Sequence, residues 1–178
     1  MRRFNGILAM TILVLFLVHA VMGSFLMIGF GDNALKFVAK ITEGLIYIHL
    51  IIGVKYTVDT IRAQKKSGVS YFKENKLFWV RRISGLAIMI FLITHFSAFK
   101  ADGDFIRLAY FDIIKLTTQI LLVASIAVHV ISNVKPALIT FGIKSLKDIS
   151  VDILLVLSIL LAFMGLAFVI YYLRWNLW

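Results

Sequence analysis

No cysteine occurs among the 178 residues, which excludes disulfides, zinc–thiolate sites and iron–sulfur clusters ligated by this chain. A single proline, Pro136, leaves little to interrupt long helices. Charge is scarce as well. Charged residues make up 16% of the chain against ~25% in a soluble domain, and hydrophobic residues 61% against ~45–50%. These values, with a mean hydropathy of +0.97, exclude an ordinary soluble globule and a disordered chain. Acidic residues are scarcest, nine against 19 basic, giving a net charge of +10. A basic face for nucleic acid needs a soluble body to carry it, so no nucleic-acid partner is expected. The charge belongs instead on connections between apolar spans, where it reports topology and faces lipid.

Five apolar stretches reach the ~20 residues of helix that cross a bilayer. They run over about 4–30, 37–60, 78–99, 113–134 and 151–173. The first lacks a small-residue cleavage pattern and reads as a span rather than a signal peptide. The expected fold is all-α: one membrane domain over residues 1–178, with four helices in a bundle and the fifth peripheral. Alternating the connections puts 13 Lys and Arg on one side and 6 on the other. The side with more carries a formal +9 and the other +1. The positive-inside rule then places the N-terminus in the cytoplasm and the C-terminus outside. The longest inner connection, Ile61–Val80, is a candidate docking site for a soluble partner.

All four histidines fall inside spans, one on each of the first four: His19, His49, His95 and His129. An ionisable side chain at membrane depth is a functional candidate. His19 and His95 each lie ~22 Å or more from the inner end of their spans, in the outer half. His49 and His129 are each followed six residues later by lysine, in HLIIGVK (Lys55) and HVISNVK (Lys135), which sets them ~9 Å above the inner boundary. Two pairs at two depths suit two stacked bis-histidine haems b, since imidazole is an axial ligand and bundles hold cofactors between facing helices. FLVHA on the first span resembles FLITHF on the third, and the two H-x5-K strings match, which supports pairing first with third and second with fourth. Gly23, Gly53 and Ser125, four residues from a histidine, leave room for a flat group. Lys55, Arg81, Arg82 and Lys135 at the inner boundary are candidate partners for haem propionates.

Five helices with a histidine on each of the first four resemble the single-subunit dihaem cytochrome b anchor of succinate:quinone oxidoreductases, a group that includes succinate dehydrogenases and fumarate reductases. The string Arg81-Arg82-Ile83-Ser84-Gly85, leading to His95, is similar to the entry of a haem helix in these anchors. The resemblance implies a prokaryotic cytoplasmic-membrane subunit. It implies His19 and His95 on a distal haem, and His49 and His129 on a proximal one. It also implies flavoprotein and iron–sulfur partner subunits on the cytoplasmic face, which hold the flavin and the clusters. Electrons would pass between them and a membrane quinone such as menaquinone. Glu43, in the outer part of the second span, is the expected acid for quinol proton transfer, with Lys40, Lys100, Asp102 and Asp104 nearby. The alternatives are a cytochrome b of another quinone-linked complex, or a non-haem, histidine-lined proton or metal transporter.

Overall fold

Apolar residues cover all faces of the long segments, the pattern of helices surrounded by lipid or protein on every side. Ile51, Ile93 and Ile114 are 69%, 69% and 71% exposed, as a lipid-facing surface requires. The computed structural model describes residues 2–30, 36–68, 75–102, 105–108, 111–142 and 146–177. Its helices are α1 (Arg2–Ile28), α2 (Lys36–Ser67), α3 (Lys76–Ala98), α4 (Ile113–Thr140) and α5 (Leu146–Leu177). All five are long and apolar enough to cross a membrane, and the chain is an all-α polytopic membrane protein. One addition was not legible beforehand. Between α3 and α4, β1 (Phe99–Asp102) and β2 (Phe105–Leu108) form an antiparallel ribbon, with Phe99 opposite Leu108.

Several helices outrun their apolar cores. Nothing breaks α2 until Gly68, whose φ of +72° suits glycine and whose N–H bonds the Gln64 carbonyl at 3.0 Å. The expected Ile61–Val80 connection is therefore mostly helix, and residues 69–74 of it lie outside the described residues. Asn75 caps α3 by accepting the Phe78 N–H, and Asp112 caps α4 by accepting the Lys115 N–H. More unusual is α4, which runs straight through Pro136. Proline has no N–H to give the carbonyl four residues back, Ser132. The Arg81 Nε–H on α3 donates to that carbonyl at 2.9 Å and replaces the missing bond.

The fifth helix is not peripheral, which corrects the expectation. Helix α5 packs along both α1 and α4 and supplies the centre of two buried clusters. In one, Ala167 and Phe168 meet Met27 and Phe111; in the other, Leu157 meets Val134 and Leu138. Its uniform apolarity hid this role, because no polar face betrays which side packs. The helices follow one another around an arc, α2 on α1, α1 on α5, α5 on α4 and α4 on α3. The arc encloses an internal space between its two arms.

Candidate functional site

That space is a cavity of about 1780 Å³. Ligand pockets usually run ~300–1,000 Å³, and packed interiors leave few voids larger than a water. Side chains of all five helices line it, and all four histidines are on its wall. Its charged groups sit toward the ends: Lys40, Glu43 and Arg174 at one, Arg81 and Arg82 at the other. Between them the wall is mainly aliphatic and aromatic.

Two of the histidines meet across the cavity. The rings of His19 on α1 and His95 on α3 are 6.2 Å apart, centre to centre, with their planes at 84°. A metal–imidazole bond is ~2.0–2.1 Å at zinc, so two such bonds in line set ring centres about 6 Å apart. His49 on α2 and His129 on α4 line the same cavity. The structure thus brings His19 and His95 together, and among the described residues no three such ligands converge on one point.

Hydrogen bonds fix the orientation of one ring in each pair. His129 Nδ1 lies 3.1 Å from the Arg81 carbonyl and 3.2 Å from Ser84 Oγ. A carbonyl only accepts, so Nδ1 carries the proton and Nε2 keeps its lone pair. His95 Nδ1 lies 2.8 Å from Gln119 Oε1, an acceptor, with the same consequence. Second-group bonds of this kind orient metal-ligating imidazoles and raise their basicity. The His49 Nδ1 is buried with no hydrogen-bond partner.

Small residues shape the wall. A Cβ on Gly85 would sit 3.3 Å from His129 Cε1, so the ring would have to give by a few tenths of an ångström. A Cβ on Gly23 meets nothing within 4 Å, leaving open space one turn from His19. Gly53 faces Arg82, whose Nη1 would be 3.4 Å from its Cβ. Ser125 is not on the cavity wall.

Of the four basic candidates, the structure brings two to the cavity. Arg82 lies over the Phe78 ring at 4.9 Å, and its Nε is buried without a hydrogen-bond partner among the described residues. Arg81 also lines the cavity, with its Nε committed to Ser132. Lys55 and Lys135 are exposed and absent from the wall; Lys55 lies 3.9 Å from Asp59. Six residues of helix rotate about 120° off the starting face, which carries each lysine away from its histidine. The Tyr56 hydroxyl and Asn5 Oδ1, missed in the sequence, are buried on the wall without hydrogen-bond partners among the described residues.

Glu43 lies on the wall at the Lys40 end and accepts a hydrogen bond from the Tyr47 hydroxyl at 3.1 Å. Tyr47 lines a second, shallower groove with Met89, Leu92 and Phe96 of α3, which also line the main cavity. Asp104 lies outside the described residues. Gln119 and Arg174 were also missed. Arg174 Nη1 donates to the Met27 carbonyl at 3.2 Å, near the end of α1. The signal for Gln119 was an amide in an apolar span, where polar side chains seek partners on other helices.

The donor set and the space fit two flat macrocycles carrying carboxylates. His95 and His129 keep Nε2 lone pairs beside an apolar cavity, His19 faces His95, open space adjoins Gly23, and among the described residues the Arg82 Nε and Tyr56 hydroxyl have no hydrogen-bond partner. The chain matches no known family, no curated protein and no solved structure.

Proposed function

We propose that the chain is a dihaem b membrane subunit that carries electrons between a membrane quinone and a cytoplasmic partner. The observation that carries this reading is the facing of His19 and His95 at 6.2 Å inside a cavity that also holds His49 and His129. Haem, when bound, supplies one-electron chemistry that no side chain here provides. His19 and His95 hold the outer group, and His49 and His129 the inner one. Arg82, with Arg81 beside it, neutralises propionates at the inner end. The apolar wall excludes water and, with the Nδ1 bonds, tunes the potentials.

The finer assignment follows the resemblance to anchors of succinate dehydrogenase and fumarate reductase. In that assignment the chain lies in a prokaryotic cytoplasmic membrane with its N-terminus inside. The basic inner side, including the end of α2 with Arg62, Lys65 and Lys66, docks an iron–sulfur subunit that is itself joined to a flavoprotein. The flavin and clusters belong to those partners. The quinone, assigned as menaquinone, reacts at the outer end, where Glu43 exchanges its proton and Tyr47 holds the carboxylate. A pyridine haemochrome assay on protein purified with ample haem supply tests the reading. Two haems b per chain are expected; a well-folded preparation without haem overturns it.

A further inference from the structure

We propose that Gln119 is a positioning residue for the outer histidine pair, selecting the nitrogen that His95 turns to the cavity and setting how strongly it donates. The inference rests on the reading of His19 and His95 as axial ligands. Gln119 is 0% exposed, about two turns into a membrane-spanning helix. A buried amide is costly unless bonded. Its Oε1 meets His95 Nδ1 at 2.8 Å, while its Nε2 is buried with no hydrogen-bond partner among the described residues. The side chain thus spends its one bond on the ring of the neighbouring helix rather than on its own backbone.

The inner pair is anchored in the reverse sense. There α3 supplies the acceptor, the Arg81 carbonyl beside Ser84, and α4 supplies the ring, His129. In the outer pair α4 supplies the acceptor and α3 the ring. The α3–α4 contact therefore orients one imidazole at each depth. The backbone carbonyl serves the inner ring whatever its side chain, whereas the outer ring depends on one amide that a substitution can remove. An acceptor at Nδ1 shifts electron density toward Nε2, which favours the more oxidised ligand-bound state and lowers the reduction potential.

Redox titration of the purified protein, in parallel with Gln119→Met and Gln119→Glu, tests this. Methionine keeps the length and removes the acceptor; glutamate keeps an acceptor oxygen in place. The expected result is a raised midpoint potential in Gln119→Met, confined to the component that His95→Ala abolishes. Gln119→Glu returns that component to the wild-type value or below. Retention of the outer haem weakens roughly ten- to a hundredfold in Gln119→Met. If that variant loses the outer haem altogether, Gln119→Glu decides: retention there supports the proposal, and loss there overturns it. Unchanged potentials in Gln119→Met, equal shifts of both components, or the same upward shift in both variants also overturn it. A wild-type chain that takes up no haem overturns the parent reading and this one together, and is seen before any variant is made.

Discussion

Arg81 and Pro136 are coupled through the Ser132 carbonyl: the proline withholds the helix bond, and the Arg81 Nε–H supplies it at 2.9 Å. The link joins α3 to α4 at the Arg82 end of the cavity, one turn from His129. Its prediction is a double-mutant cycle. Arg81→Gln should destabilise the protein by about 1 kcal/mol more with Pro136 present than in a Pro136→Ala background. In that background the helix satisfies its own carbonyl. Thermal unfolding in detergent measures the coupling, and additivity would show that the bond contributes nothing.

Two glycines separate the shape of the chain from the shape of its ligand. Gly23→Leu meets no protein atom close to its Cβ and should raise the stability of the haem-free protein by ~0.8–1 kcal/mol through helix propensity. It should nonetheless lower haem content, because its side chain enters the space beside His19. Gly85→Ala should instead displace the His129 ring, 3.3 Å from the new methyl, and weaken the inner site alone. Haem per chain and haem-free melting temperature, measured together, check both. Undiminished haem in Gly23→Leu would show that the space beside His19 is not used.

The spans and the histidines were legible because hydropathy and intramembrane ionisable groups are local signals. Direction around the helix could not be carried over, since the six-residue step from His49 to Lys55 and from His129 to Lys135 turns both lysines outward. Gln119, Tyr56 and the Arg81–Ser132 bond depend on which helix faces which, and apolar spans carry little record of that. The same uniformity concealed α5, which joins α1 to α4 instead of standing outside the bundle.

Quinol chemistry moves protons, so Glu43 and Tyr47 should separate turnover from assembly. Glu43→Gln should keep both haems and the partner complex while slowing quinol-linked turnover on the order of 10²-fold, the scale of a general acid–base group. Tyr47→Phe removes the 3.1 Å bond but leaves the carboxylate, so a smaller loss is expected. Steady-state assays with a soluble quinol analogue check this, and full activity in Glu43→Gln would exclude it from proton transfer.

Sidedness has its own test at the end of α2, where Lys65 and Lys66 are exposed. With no native cysteine, Lys66→Cys gives a single labelling site. An impermeant thiol reagent should reach it only after the membrane is opened to the cytoplasmic side, and shielding by the assembled partner is expected. Labelling from outside intact cells would invert the topology.

The central claim is that the four histidines work as two cross-cavity pairs. Reduced-minus-oxidised spectra, resolved by redox titration, of the His19→Ala, His95→Ala, His49→Ala and His129→Ala variants test it most directly. The account predicts that His19→Ala and His95→Ala lose the same component, that His49→Ala and His129→Ala lose the other, and that each variant retains about one haem per chain. Loss of different components within a pair, or no haem in the folded wild-type protein, would contradict it.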